Sequence, residues 1–471
     1  MNGENALRHA QRMVVAPIAA LVMMSASVAG ADETFVVLYS RSQVPTDAAA
    51  KIAKAGGTLV YSYDAIGVAI TSSAEPGFAE AMRSVPGVQG AASTAPYGVQ
   101  LEAGFESAEG LDALAATGNF DDPLTGLQWD MAQISVPEAH QVTMGDPSVI
   151  VGDIDSGIDA YHPDLAANVD WSRSVSCIGG VPETSYAAWE DNNFHGTHTA
   201  GTIAAAYNGF GIVGVAPNVK LAAIKGCDDT GYCWPEAIIC SFVWAAEHQI
   251  DVTNNSYFVD PYLFNCHNDP EQRAIWKAVQ RAVRYAQQNG VLVVSSAGNS
   301  NDDLSHPDVT TGDEDINNAC AVLPAELPGV VGVSATGALE VKSYYSSHGV
   351  SAVDVAAPGG DARFQRTAAA PNGYVLSTVP TKFGGYGYAQ GTSMASPHAA
   401  GVAALLLSQD PRLTQGAVAA KLQGTADSLP CPENSFNPGP PFNYLAYCQG
   451  GEHNSFYGHG QVNALKAVTS N

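Results

Sequence analysis

The alternation of apolar and polar positions divides the chain into two kinds of pattern. In residues 32–95, "TFVVLYS" (34–40) reads as a strand, "DAAAKIAKAG" (47–56) as a helix, and "TLVYSY" and "GVAITSS" as two further strands. "PGFAEAMRSV" (76–85) then reads as a second helix. This strand–helix–strand–strand–helix order predicts a compact α+β unit. Residues 96–125 are rich in Gly, Ala, Ser and acidic groups, hold no steady period, and read as a linker.

From about residue 126 the pattern changes. "SVIVGDID", "VKLAAIK", "IDVTNNSY", "GVLVVSSAGN" and "LPGVVGVSAT" are short, β-branched runs bounded by turn residues. Between them lie helical stretches such as "HGTHTAGTIAAAY", "PEAIICSFVWAAEHQ" and "EQRAIWKAVQRAVRYAQQNG". Strands alternating with helices predict a mostly parallel sheet covered on both faces, an α/β class. Ligand sites in such folds lie beyond the carboxyl ends of the strands.

Composition narrows the function classes. Across 471 residues, 46% are apolar and 14% charged, enough for a large core, and the formal charge is -26. So acidic a chain lacks the Lys and Arg needed to grip phosphates, which excludes a nucleic-acid partner. At the N-terminus Arg8 and Arg12 precede an apolar run over 13–24, and small residues follow to Ala31. That order predicts a secretory signal over 1–31, with cleavage before Asp32 or after Ala29. No later apolar run is long enough to span a bilayer, so the expectation is a secreted protein without a membrane partner. Eight cysteines in an oxidising compartment then favour disulfides. Cys227–Cys233, Cys431–Cys448 and Cys266–Cys320 are candidate pairs, and no Cys-x-x-Cys spacing supports zinc.

Four residue groups at strand or helix ends could carry chemistry. Asp155 closes an apolar strand ahead of a Ser-Gly turn, where a carboxylate can be desolvated yet hydrogen-bonded. His195 and His198 stand near the start of a small-residue helix, without the His-Glu-x-x-His spacing of a metal site. Asn299 follows Ala-Gly at a strand end, and its amide could donate to an oxyanion or simply form a turn. In "YAQGTSMASPHAAGVAALLLSQDP" (388–411), Ser393 stands where a helix would begin. It could cap that helix or act as a nucleophile, and the small neighbours Gly391, Thr392 and Ala395 leave clearance that a cap does not need.

Taken in the order Asp, His, Asn, Ser, these groups resemble the subtilisin-like serine proteases. The likeness covers roughly 127–471 and includes "DSGID..HPDL", "HGTHTAGTIAA", "GVAP", "AGN", "AAPGG", "GTSMASPHAAGVAALL" and "YGHGQVNALKAV". The resemblance implies a three-layer subtilisin-like domain over 126–471 and a small ferredoxin-like prodomain over 32–95, with a maturation site in the 96–125 linker. It implies a secreted serine endopeptidase acting on proteins or peptides, a monomer whose other partner is its own prodomain. Ser393 would be the nucleophile, His195 the base, Asp155 its orienting carboxylate and Asn299 the oxyanion donor, with no cofactor for the chemistry. Ser256, Tyr257, Phe258, Ser296 and Gly298 would line the substrate strand. Asp164 and Asn208 would hold a structural Ca²⁺.

Three departures from the family pattern stand out. Asp153 replaces an apolar residue on the same strand face as Asp155 and therefore needs a buried partner or a raised pKa. "SYFVD" (256–260) puts bulky residues where glycines are usual, which would narrow the cleft or reshape subsite preferences. An acidic stretch, 301–320, has no assigned role. "GFGIVG" (209–214) follows a helix and leads into a strand, the reverse of a dinucleotide turn. "GTSMA" nearly fits a lipase-type elbow with Asp427 and His453 following, but "KFGGYGYAQ" before it is no buried strand. An ester-specific or catalytically inactive secreted binding protein is the alternative.

Overall fold

The computed structural model describes residues 32–94, 105–108, 111, 122–307, 316–433, 436–437 and 445–470. The signal segment and most of the linker expected from the sequence lie outside them, as does the middle of the acidic stretch.

Residues 32–94 form one antiparallel sheet from β1 (Glu33–Tyr39), β2 (Gly57–Tyr63), β3 (Val68–Ser73) and β4 (Val88–Ser93), in the order β2-β3-β1-β4. Helices Ala48–Lys54 and Phe78–Arg83 cover it, burying Ile52, Phe78 and Met82 against Phe35 and Val37. The sequence pattern omits β4, whose "VQGAAS" is poor in strand-forming side chains. Pairing with β1 and close seating on a helix form this strand instead. A Cβ at Gly90 would come within 2.9 Å of the Ala274 Cβ, so glycine lets β4 lie directly on that helix.

The large sheet is parallel throughout. Its strands are β6 (Ile150–Asp155), β7 (Val175–Ser176), β8 (Lys220–Lys225), β9 (Val252–Asn255), β11 (Leu292–Ser296), β13 (Val330–Thr336) and β14 (Val355–Pro358). They run in the order β14-β13-β11-β9-β6-β8-β7. The two-residue side-chain period assigns each face. Ile150 and Ile154 enter the layer formed with helices Pro235–Glu247 and Pro270–Gln288. Val151 enters the opposite layer, which holds helices His195–Ala204 and Thr392–Gln409. Asp153 and Asp155 continue the Val151 face, so both carboxyls point at the helices carrying His195 and Ser393.

The 32–94 sheet rests on the first of these layers. Arg281 donates to the carbonyls of Tyr39 (2.8 Å) and Ile66 (3.0 Å) and to Gln89 Oε1 (2.8 Å). Tyr63 donates to the Gly180 carbonyl at 2.7 Å. Short strands complete the chain. β5 (Phe105–Ser107), inside the expected linker, pairs with β16 (Tyr386–Ala389), which also pairs with β15 (Val375–Thr378). β10 (Asn265–Cys266) pairs with β12 (Cys320–Ala321) beside the Cys266–Cys320 disulfide. Cys227–Cys233 and Cys431–Cys448 also pair as expected, and Cys177 bonds Cys240. Among the described residues no helix is long and apolar enough to cross a membrane.

Candidate active site

Asp155 ends β6 and is fully buried. Its two carboxylate oxygens lie 2.8 and 2.9 Å from Nδ1 of His195, and Oδ1 also accepts the Ser156 N–H at 2.7 Å. The sharp turn that follows needs glycine: Gly157 has φ +108°, and a Cβ there would stand 2.3 Å from the Trp189 carbonyl. A Cβ at Gly196 would stand 2.2 Å from the Gly157 carbonyl, so two glycines let the turn and the His195 helix meet.

The start of that helix is held by Asp191, which the sequence reading did not single out. Buried Asp191 accepts from the N–H groups of Asn193 (2.8 Å), Phe194 (3.1 Å) and Thr197 (3.0 Å) and from the Thr197 hydroxyl (2.6 Å). A carboxylate on the unpaired N–H groups of a helix start is favoured by hydrogen bonding and by the helix dipole. Ser156 Oγ bridges Asp191 (3.0 Å) and the Gly196 N–H (2.9 Å), tying the Asp155 turn to the helix. Phe194, buried with φ 137°, is a bulky residue in a region that favours glycine, and Asp191 holds its N–H. Burial alone would lower the His195 pKa, but the charge and hydrogen bond of Asp155 outweigh it and raise the value.

Ser393 is the second residue of its helix, so its N–H is among the donors without an intrahelical acceptor. Its Oγ donates to the Ser256 carbonyl at 3.1 Å, while the Ser256 hydroxyl donates to the Ser393 carbonyl at 3.0 Å. Asn299 follows β11 on the Ala-Gly turn. Its Oδ1 accepts from Thr392 N and Thr392 Oγ1, both at 2.8 Å, which orients the amide and turns Nδ2 away from Thr392. A Cβ built at Gly391 would lie 3.5 Å from both Asn299 Nδ2 and Ser393 N. The two donors thus lie at equal distance from one point beside the Ser393 backbone.

The remaining expected residues divide. Ser296 is the buried end of β11, and the Gly298 N–H donates to Thr392 Oγ1 at 3.1 Å. The Tyr257 side chain is 4% exposed and donates to Asn255 Oδ1 at 2.9 Å inside the apolar layer. Phe258 is half-buried against the cluster around Cys266 and Cys320. His198 is buried, and burial lowers its pKa to about 3, which leaves it neutral.

Asp164 and Asn208 meet a second carboxylate, Asp122, from the expected linker. Asp164 Oδ2 accepts from Tyr386 Oη (2.8 Å) and Ile212 N (3.0 Å), and its Oδ1 lies 3.3 Å from Asn208 Nδ2. Asp122 Oδ1 accepts from the N–H groups of Asn208 (3.2 Å) and Phe210 (2.9 Å). Burial raises the Asp164 pKa to about 7, and the Asp122 charge adds to the rise against the lowering by its hydrogen bonds. The two buried carboxyls supply oxygen donors of the kind a hard cation takes, while the Asn208 amide turns its nitrogen to Asp164 and its Oδ1 accepts from Phe210 N at 2.9 Å. Among the described residues no group of three or more His, Cys, Asp or Glu side chains could hold a metal.

Comparison with known proteins identifies the family. The family model described as the subtilase family matches residues 146–460. Subtilisin E of Bacillus subtilis (strain 168) is 36% identical over 304 residues, which are 64% of this chain and 66%, just under two thirds, of that protein. Subtilisin of Bacillus pumilus is also 36% identical over 304 residues, covering 92% of its length. Among solved structures, a lanthipeptide protease is 29% identical with a TM-score of 0.56, covering 72% of this chain and 93% of that one. The epidermin leader peptide processing serine protease of Staphylococcus aureus shares the fold, with a TM-score of 0.69 at 21% identity over 94% of this chain and 99% of that one. The family match alone spans well over half the chain, and it contains Asp155, His195, Asn299 and Ser393. The chain belongs to the subtilase family.

Proposed function

We propose that this protein is a secreted serine endopeptidase. The observation that carries the reading is the buried Asp155–His195 pair, with both carboxylate oxygens on Nδ1. A carboxylate on Nδ1–H fixes the tautomer that leaves Nε2 free as a base, and it stabilises the imidazolium formed later. Ser393 Oγ leaves the Ser256 carbonyl, gives its proton to His195 Nε2 and attacks the scissile carbonyl carbon. The negative oxygen of the tetrahedral intermediate takes hydrogen bonds from Asn299 Nδ2 and the Ser393 N–H. As the C–N bond breaks, His195 returns the proton to the amine, leaving an acyl-enzyme. Water, activated by the same histidine, then hydrolyses the ester.

In this reading residues 32–95 are a prodomain whose sheet covers helices Pro235–Glu247 and Pro270–Gln288 until it is cleaved within the 96–125 linker. Asp122, Asp164 and the Asn208 amide would hold Ca²⁺, which would neutralise the two carboxyls and tie the linker end to the 205–213 loop. The Asn208 nitrogen now faces Asp164, so binding would turn the amide to present its oxygen.

The test is labelling by a fluorophosphonate, followed by digestion of casein. Labelling blocked by Ser393→Ala together with casein cleavage supports the reading. Labelling without casein cleavage points to an esterase, and full activity of purified Ser393→Ala overturns it.

A further inference from the structure

Asp153 finds its partners on two other elements, and one of those partners reaches a third. It is 1% exposed. Its Oδ2 lies 2.7 Å from the Thr199 hydroxyl, one turn after His195 on the same helix. Its Oδ1 accepts from Asn254 Nδ2 on β9 at 2.9 Å. Asn254 in turn accepts from Ser396 of the Ser393 helix at 2.7 Å, and its Nδ2 reaches Ser256 Oγ at 3.1 Å. One buried carboxyl therefore joins the elements that carry Asp155, His195 and Ser393.

Counting protons gives its state. The single Thr199 hydroxyl proton has three acceptors in reach: Asp153 Oδ2, the Gly196 carbonyl at 3.0 Å and the His195 carbonyl at 3.3 Å. A proton on Asp153 Oδ2 satisfies every group: Asp153 donates to Thr199, Thr199 donates to Gly196, and Oδ1 accepts from Asn254. An anion there would have two neutral donors and no cation in hydrogen-bond contact. The titratable groups facing it are Asp155 and His195, while the Tyr257 phenol lies across the sheet on Asn255. Lys225 on neighbouring β8 sends its ammonium to the Glu190 carbonyl and Asp229 instead. Burial, then the charge of Asp155, pushes the Asp153 carboxyl well above the ordinary range.

We propose that Asp153 is a neutral, hydrogen-bond-donating carboxyl that positions the catalytic groups, holding the His195 and Ser393 helices in register with β6. This rests on the serine-peptidase reading and adds a residue to it. Neutrality is the point of the arrangement. A charge on Asp153 would raise the His195 pKa further and keep the imidazole protonated when it is needed as a base.

The test uses enzyme produced from the full chain and follows kcat and KM against pH. Asp153→Ala, which removes both bonds, is expected to lower kcat by about tenfold or more with KM changed less than about twofold. Asp153→Asn reproduces the neutral acceptor–donor pattern. It is expected to recover kcat to within about threefold and to leave the acidic limb of kcat/KM in place. An acidic limb lowered by about one unit in Asp153→Asn would mean that a charge had been removed, and would overturn the proposal. So would parental kcat in Asp153→Ala. If Asp153→Ala does not fold, the Asp153→Asn profile decides alone. Fluorophosphonate labelling of the parent separates the two readings: without it the peptidase assignment fails, and with it a shifted limb counts against Asp153 only.

Discussion

Replacing Asn299 by alanine removes two kinds of interaction that can be measured apart. The side chain offers Nδ2 to the space beside Ser393 N, and its Oδ1 accepts two hydrogen bonds from Thr392. In the proposed mechanism only the first is made to charge that develops in the transition state. Loss of the equivalent donor in subtilisin sets the scale, about 10²–10³ in kcat or roughly 2.7–4 kcal/mol. The two Thr392 bonds act on the folded state, each worth about 0.5–1.5 kcal/mol, so stability should fall by about 1–3 kcal/mol. Thr392→Val separates the effects, because it removes the hydroxyl bonds to Asn299 and from Gly298 and leaves the backbone bond and the amide donor. Asn299→Ala should therefore lose about 10²–10³ in kcat and some melting temperature, whereas Thr392→Val loses melting temperature but less than about tenfold in kcat. Steady-state kinetics on a peptide anilide with parallel thermal unfolding would measure both. An Asn299→Ala enzyme within about fivefold of the parent, or one matched in kcat by Thr392→Val, would refute the oxyanion assignment.

Two further expectations concern protons and cations. Because Asp155 raises the His195 pKa, the pair stabilises the fold fully below about pH 6.5 and loses that contribution as pH rises through the folded value. Activity needs the neutral imidazole and appears over the same interval. The melting-temperature advantage of the parent over Asp155→Asn should thus shrink as kcat/KM grows, and an advantage growing with pH would contradict the assignment. A chelator should lower the melting temperature and excess Ca²⁺ restore it, with stabilisation of about 2.7 kcal/mol at a hundredfold excess over Kd. Asp164→Asn should abolish the response, and an unchanged melting temperature in chelator would remove the cation site.

The parts legible in the sequence are those held by local rules. β6, β8, β9, β11 and β13 end where turn residues follow apolar runs; Asp155 and Asn299 sit at or just beyond such ends, and His195 and Ser393 sit at helix starts. The parts that escaped depend on partners distant in the chain. β4 has a Gly- and Ala-rich sequence and becomes a strand only against β1 and the helix at Ala274. Asp122 lies in a stretch without periodicity, and its companions Asp164 and Asn208 come from other loops. Tyr257 follows Ser256 on the expected substrate strand, but the burial of its side chain in the apolar layer depends on partners that the local sequence does not announce. The partner of Asp153 was likewise invisible, since Asn254 is 101 residues away. Asp191 had a usable signal: an acidic residue shortly before a helix start is a cap candidate.

The two-faced register of β6 restricts how the length of this protein can change. Side chains alternate faces, so one residue inserted or deleted within Ile150–Asp155 would turn Ile154 toward the His195 helix and drive Asp155 into the apolar layer. No rotamer change repairs such a slip, because every neighbour on β8 and β9 would be mismatched as well. Loops outside the sheet face no such rule. Relatives should therefore gain and lose residues freely between strands while the span from Ile150 to Asp155 keeps a constant length.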